Sequence, residues 1–107
     1  MNRRVIATAR FEGFHCWPDA PDEVAFLRDR HRHVFHVRAE KAVTHSDRDV
    51  EFVLLGRAVK AFCEGLAGSA EVESWSCEHW AEALIERFDL TACEVWEDGE
   101  NGARVEA

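Results

Sequence analysis

The sequence has no apolar segment that could serve as a signal peptide or cross a membrane. Its first residues, Met-Asn-Arg-Arg, lead directly into an alternating pattern of polar and apolar residues. No later run approaches the roughly 20 apolar residues that a membrane-spanning helix requires. We therefore expect a cytoplasmic protein with no membrane partner.

Cysteine pairs of the kind that hold structural zinc are also missing. The four cysteines, Cys16, Cys63, Cys77 and Cys93, form no Cys-x-x-Cys motif, which excludes a zinc ribbon. Without a secretory signal, we expect them to be free thiols in a reducing compartment.

Linkers, repeats and low-complexity tracts are absent, so we interpret residues 1–107 as one small domain. A chain of this length buries a limited core, and its four Trp and seven Phe favour either a dense core or a face used for self-association. The net charge of −8 would repel phosphate backbones, so nucleic acid is not an expected partner. One local basic cluster exists, formed by Arg28, Arg30, Arg32 and Arg38.

Two strands are predicted in the first 40 residues. Residues 5–17 place apolar side chains and His15 on one face at a spacing of two, with a possible bulge at Gly13. A loop with the only two prolines, Pro18 and Pro21, follows. Residues 31–40 then alternate more regularly. The residues that share one face of this second strand are His31, His33, Phe35, Val37 and Ala39.

The middle of the chain changes to a helical period. Apolar residues at three- and four-residue steps predict a first helix that ends near Gly65 and Gly68. These residues are Phe52, Leu55, Val59, Phe62 and Leu66. Ser76 is the expected N-cap of a second helix. Its predicted buried residues are Trp80, Ala81, Leu84, Ile85 and Phe88.

The last fifteen residues return to strand. Residues 93–98 alternate, Asp98-Gly99 and Asn101-Gly102 are turn signals, and residues 103–106 form a short return strand. The predicted order is therefore β-β-α-α-β-β, an α+β subunit. Four strands cannot close a barrel alone, and their free edges favour pairing between copies of the chain.

Three histidines are candidates for a metal site. His31 and His33 project from the same face of the second strand, and His15 ends the strand before it. Three imidazoles at one end of a sheet leave an open fourth position, which is typical of catalytic zinc. The alternative is a set of strand histidines that bind no metal. His36, His45 and His79 receive no role.

Five motifs follow one another in the order found in one protein family. They are an aromatic segment ending in His15, a His-x-His pair at residues 31–33, an acidic-Phe pair at 51–52, a Ser-Cys-Glu-His turn at 76–79 and a Val-x-Glu strand at 95–97. As an ordered set covering nearly the whole chain, they resemble the 6-pyruvoyl-tetrahydropterin synthase / 6-carboxytetrahydropterin synthase family. The resemblance implies the tunnelling fold, in which subunits form trimers around a continuous β-barrel and two trimers usually stack into a hexamer.

The resemblance also implies roles for individual residues. His15, His31 and His33 correspond to the zinc ligands of the family. Glu97 corresponds to the carboxylate that anchors a pterin ring at a subunit interface, and Ser76, Cys77 and Glu78 to the turn that lines the same pocket. From the sequence alone, Glu97 could instead form an ion pair with an arginine, because a buried carboxylate needs a partner.

The sequence departs from the family where proton transfer takes place. Leu27 occupies the position of the catalytic cysteine, and Cys16 is predicted to point to the other face of its strand. The segment between the helices, residues 64–74, contains neither His nor Asp, so the family's Asp-His pair is also missing. Arg32 replaces the glycine between the paired histidines and could displace them.

Three functional hypotheses follow. The first is a module that binds a pterin- or purine-like small molecule and lacks the synthase reaction. The alternative is a zinc-dependent lyase or synthase with a substitute acid-base group such as Glu23, Asp29, Glu51 or His79. The third is an assembly protein whose histidines and Glu97 are satisfied internally.

Overall fold

A four-stranded antiparallel sheet with two helices on one face forms the whole chain. The computed structural model describes residues 1–107, with strands β1 (Arg3–His15), β2 (His31–Val43), β3 (Ala92–Glu97) and β4 (Asn101–Glu106) in that order across the sheet. Helices α1 (Phe52–Leu66) and α2 (Cys77–Phe88) lie between β2 and β3 in the sequence. Two short 3₁₀ segments, Asp22–Arg28 and Ala70–Val72, complete it. The predicted α+β class and β-β-α-α-β-β order are confirmed.

Strands β1 and β2 form a long ribbon without a bulge. Their thirteen residue pairs run without interruption from Arg3 opposite Val43 to His15 opposite His31, so the predicted bulge at Gly13 is wrong. Glycine is required there for another reason: an added Cβ would lie 2.9 Å from Cε2 of the Phe35 ring.

The first strand ends at His15 and not at residue 17. The Cys16 N–H donates to the Glu73 carbonyl at 2.8 Å, and the Trp17 N–H donates to the Leu27 carbonyl at 2.7 Å. These bonds, to the segment before α2 and to the 3₁₀ turn, take the place of the hydrogen bonds between paired strands. The predicted loop covers residues 17–22, so it includes only the first residue of the 3₁₀ segment.

Both helices begin where they were predicted to begin. Glu51 caps α1 by accepting from the Val53 N–H, and the Ser76 hydroxyl caps α2 by accepting from the His79 N–H at 3.1 Å. The apolar stripes pack inward, except that Phe52 is exposed. Helix α1 meets the β1 backbone one turn later, at Gly56, where an added Cβ would lie 3.2 Å from the Thr8 carbonyl oxygen.

The hairpin between β3 and β4 turns at only the first of the two predicted turn signals. Three residues, 98–100, connect the last strand pair, Glu97 opposite Asn101. Asp98 (φ 55°) and Gly99 (φ 71°) both adopt the left-handed region, as in a turn of the primed class, and the Glu100 N–H donates to the Glu97 carbonyl at 3.0 Å. Asn101 and Gly102, predicted as a turn, begin β4 instead. Gly102 faces Trp96 in the register, and an added Cβ would lie 2.4 Å from the Val95 carbonyl oxygen.

The two faces of the sheet differ in what covers them. On the helix side, Phe11 stacks on Phe35 at 5.1 Å, and Trp80 from α2 packs on Phe11 at 4.9 Å, within one continuous core. The opposite face is open and carries an ion-pair network of Arg38, Glu40, Glu94 and Arg104. Neither helix combines the length and the apolar composition needed to span a bilayer.

Candidate metal centre and ligand cavity

Three histidines meet at the end of the β1–β2 ribbon. His15 is the last residue of β1, His31 faces it as the first residue of β2, and His33 follows on the same face. Their ring centroids lie 4.5 to 4.9 Å apart. One nitrogen from each ring lies within 4.8 Å of the others, so the three rings enclose one point. The sequence prediction that these residues converge is confirmed.

The outward-facing nitrogens of the three rings are all held by oxygen atoms. Nδ1 of His15 lies 3.2 Å from the Trp75 carbonyl oxygen, Nδ1 of His31 lies 2.7 Å from that of Asp29, and Nδ1 of His33 lies 2.6 Å from Oδ2 of Asp98. Carbonyl and carboxylate oxygens only accept hydrogen bonds, so each Nδ1 must carry a proton and donate it. In the neutral rings the lone pair therefore resides on Nε2.

The inward-facing nitrogens have few partners. Nε2 of His31 and Nε2 of His33 are buried and form no hydrogen bond. A buried polar atom without a partner is unfavourable by about 1–3 kcal/mol. Metal-binding histidines show the same arrangement, with one ring nitrogen donating to an oxygen and the other directed to the ion. The residues present therefore fit a cation coordinated by three imidazoles.

Glu97, on the neighbouring strand, approaches two of the three rings. It lies opposite Phe35 in the β2–β3 register, and its Oε2 is 3.1 Å from Nε2 of His15. Its Oε1 is 3.7 Å from Nε2 of His33. No arginine or lysine pairs with this carboxylate, so the ion pair with an arginine that the sequence left open is not formed.

His15 and Glu97 each shift the pKa of the other. The hydrogen bond with Glu97 raises the pKa of His15 above its usual value, against an opposing effect of burial. The same bond lowers the pKa of Glu97. The hydrogen bond from His33 likewise lowers the pKa of Asp98.

A cavity of about 430 Å³ opens beside the histidines. Its walls bring together His15, His31, Glu97 and the predicted turn at the start of α2. The turn contributes Ser76, Cys77 and Glu78. His33 does not line this cavity. A larger groove of about 820 Å³ between β1 and α1 contains none of the predicted site residues.

The three residues of this turn have different environments at the start of α2. The Ser76 hydroxyl is engaged by the His79 N–H, so it serves the helix cap. The Cys77 thiol is buried, which raises its pKa to about 12 and makes it a poor nucleophile. Glu78 is exposed in the first helical turn.

Two positions at which the sequence differs from the synthases that it resembles also line the cavity. Leu27 does so as expected from its position, and so does Cys16. The prediction that Cys16 points to the opposite face assumed that the strand continues through it, but β1 ends one residue earlier and strand alternation no longer applies. The proposed substitutes Glu23, Asp29, Glu51 and His79 contribute no wall to the cavity.

Arg32 does not displace the histidines on either side of it. Its guanidinium pairs with Glu12 on the opposite side of the ribbon, and the two neighbouring rings keep their contact at 4.9 Å. Because alternate residues of a strand point to opposite faces, the Arg32 charge lies on the face away from the histidines.

Sequence reasoning missed the residues that support the rings. Asp98 was interpreted only as a turn residue, yet the turn aims its carboxylate at His33 and lets it accept from the Val34 N–H at 2.9 Å. Trp75 supports His15 through its backbone, and Trp17 forms part of the cavity wall while half of it remains exposed. The one sequence feature that could have indicated this support was the acidic residue directly after Glu97, which is Asp98.

No protein-family model matches this chain, and no significantly similar sequence was found among curated proteins.

Proposed function

We propose that this chain is a zinc-binding homologue of the 6-pyruvoyl-tetrahydropterin and 6-carboxytetrahydropterin synthases that binds a pterin- or purine-like molecule without the ordinary synthase reaction. The observation that carries the proposal is the convergence of three Nε2 atoms whose rings are each fixed by an Nδ1 hydrogen bond.

Zinc is the metal that the donor set favours. His15, His31 and His33 would hold it, and neutral imidazole suits zinc better than it suits calcium or magnesium. Zinc bound there supplies a Lewis acid beside the cavity. The chain's own oxygens fix the rings, which lowers the entropy lost when the ion binds.

The cavity suits a small planar heterocycle. Its volume of about 430 Å³ lies in the range of small-molecule sites, and the exposed Trp17 ring offers a surface for stacking. The Glu97 carboxylate only accepts hydrogen bonds when ionised, so it favours a ligand with two adjacent N–H groups. Pterin and guanine present such an edge, and adenine does not.

An oligomer of the tunnelling-fold type is the assembly we propose. Both outer strands, β1 and β4, have free edges, and the radius of gyration of 14.8 Å exceeds the roughly 13 Å of a rounded domain of this length. Large apolar side chains remain exposed, among them Phe52, Leu54 and Trp96. Asn101 and Gly102 on the edge strand β4 line the cavity, so a trimer or hexamer would place the ligand near a subunit interface.

Metal content and ligand-dependent melting test the proposal. Protein purified without chelators is expected to contain about one zinc per chain. Pterin and guanine are expected to raise the melting temperature of the zinc-loaded protein by several degrees, because they bind only the folded state. Adenine serves as the matched control. Protein that takes up no zinc, or that responds equally to all three compounds, contradicts the proposal.

A zinc-dependent lyase is the second candidate, and Cys16 is the observation that favours it. Leu27 cannot transfer a proton, but Cys16 lines the same cavity as His15 and His31. The other three thiols are buried, and burial raises the pKa of Cys63, Cys77 and Cys93 to about 12.

Thiol labelling separates Cys16 from the other cysteines. We expect Ellman's reagent to modify one thiol per chain rapidly in the native protein and the rest only after unfolding. Cys16→Ser should remove the rapid phase. If reduced pterins are converted by the wild type and not by Cys16→Ser, the lyase is supported; equal turnover by both proteins contradicts a role for this thiol.

A further inference from the structure

Most of the positive side chains of this chain have a partner within it. Of the 13 lysines and arginines, seven form ion pairs with carboxylates. Arg3 and Arg4 donate hydrogen bonds to oxygen atoms, and Arg87 lies over two phenylalanine rings. The three without an ion pair, a side-chain hydrogen bond or a ring contact are Arg10, Arg57 and Lys60. A shortage of carboxylates does not explain this, because the chain has 21 acidic residues.

All three of these unpaired side chains line the same groove. It is the groove of about 820 Å³ between β1 and α1, and we call it the basic groove. Arg38 also lines it, together with a single carboxylate, that of Glu94. Glu94 is already engaged by Arg38 at 3.3 Å and by Arg104 at 2.8 Å, so it does not neutralise the three unpaired cations. The basic groove is therefore positive in a chain whose net charge is −8.

The fold brings these cations to the basic groove from two walls. Arg57 and Lys60 stand three residues apart on α1, a spacing that places two side chains on one face of a helix. Helix α1 meets β1 at Gly56, next to Arg57, where an added Cβ would lie 3.2 Å from the Thr8 carbonyl oxygen. Arg10 follows Thr8 by two residues on the unbroken strand, so these two residues share a face. The contact at Gly56 thus holds the two walls together beside the unpaired charges.

Phosphate is the anion that suits this set of side chains. Positive charges held close together repel one another unless an anion lies among them. A guanidinium presents a planar fork of N–H donors that matches phosphate oxygens, and an ammonium binds phosphate as a point charge. A carboxylate carries a single charge, whereas a chain of two or three phosphates carries enough charge to neutralise Arg10, Arg57 and Lys60 together.

Two exposed aromatic rings line the basic groove together with these charges. They are Phe52, the first residue of α1, and Trp96 on β3. Trp96 lies opposite His36 in the register of the sheet, and His36 lies opposite Arg10, so a ring and a charge stand in one row across three strands. A planar base stacks favourably on such rings, and the volume of the groove lies in the range of small-molecule sites.

We propose that the basic groove binds a nucleoside di- or triphosphate, with the phosphate chain at Arg10, Arg57 and Lys60 and the base against an aromatic ring. This site is separate from the three-histidine centre, because the two cavities share no residue of their walls.

Calorimetric titration with ATP, tripolyphosphate and adenosine tests the proposal. ATP is the chosen nucleotide because its adenine lacks the N–H edge expected to bind at Glu97. We expect ATP to bind most tightly, tripolyphosphate more weakly and adenosine not measurably, and the affinity for ATP to fall as salt is added. Arg57→Gln and Lys60→Gln should each lower the affinity for ATP by about tenfold, because each removes a charge-assisted hydrogen bond. Both residues are exposed, so we expect these variants to fold like the wild type.

Arg87→Gln is the matched control for these variants. It removes an exposed arginine from helix α2, outside the basic groove, and should leave the affinity for ATP unchanged. Phosphates can also withdraw a bound metal ion, but that heat would be the same in all variants, so the difference between variants reports on the groove alone. Equal affinity for ATP in the wild type and in both groove variants overturns the proposal, as does adenosine that binds as tightly as ATP. Tripolyphosphate that binds as tightly as ATP overturns the assignment of a nucleoside, and a hexaglutamate peptide that binds as tightly as tripolyphosphate overturns the assignment of phosphate.

Discussion

Replacing His33 with alanine is expected to reduce zinc binding from about one ion per chain to none after removal of free metal. His33 supplies one of three converging nitrogens, and its removal leaves only two imidazoles at the metal centre. The expected loss of affinity is at least about 100-fold. Elemental analysis after gel filtration and competition with a chelator would measure it.

His36→Ala is the matched control for this variant. His36 stands three residues further along β2 on the opposite face, across from Arg10 and Trp96, and takes no part in the metal centre. We expect this variant to keep the wild-type zinc content. Equal zinc content in His33→Ala and the wild type would show that the ion, where present, binds elsewhere.

Replacing Trp80 with alanine is expected to destabilise the fold by about 3–5 kcal/mol. Trp80 is 2% exposed and packs against Phe11, Phe35 and Trp75 at centroid distances of 4.9, 6.3 and 4.9 Å. Domains of this kind have a total stability of only about 5–15 kcal/mol, so the loss is a large fraction of it. Urea denaturation followed by circular dichroism, with chelator present, would measure the change without a contribution from metal.

Phe26→Ala serves as the control for removal of an aromatic ring. Phe26 is 72% exposed, and we expect a change within about 0.5 kcal/mol. Trp80→Phe keeps most of the packed volume and remains measurable if Trp80→Ala does not fold. A loss below about 1 kcal/mol for Trp80→Ala would mean that α2 is not anchored to the sheet through this ring.

The long periodic elements were predictable because their burial is periodic. The apolar spacing of α1 and α2 and the Ser76 cap were sufficient to locate both helices, and strand alternation placed His31 and His33 on one face. The three-histidine centre could be predicted because it depends only on strand ends that pair with each other. The proximity of Glu97 followed from the resemblance to the synthases and now has a geometric basis in the β2–β3 register.

The missed features depend on contacts between distant segments. Cys16 faces the cavity because its N–H bonds to Glu73, a contact that no local pattern encodes. Asn101 and Gly102 have turn propensity, but the chain already reverses direction at Asp98-Gly99, so these two residues lie in β4. The Nδ1 acceptors of His15 and His31 are backbone carbonyls, for which side-chain identity gives no signal.

All three histidines come from a single hairpin, although their supporting oxygens come partly from the other half of the chain. An ion bound by His15 and His31 joins the ends of the connection between β1 and β2, which includes the 3₁₀ segment. Closing this connection in the unfolded chain removes conformational entropy, much as a disulfide does. The four cysteines form no disulfide. Under the proposed function, the metal would therefore provide a reversible cross-link whose strength follows the supply of the ion.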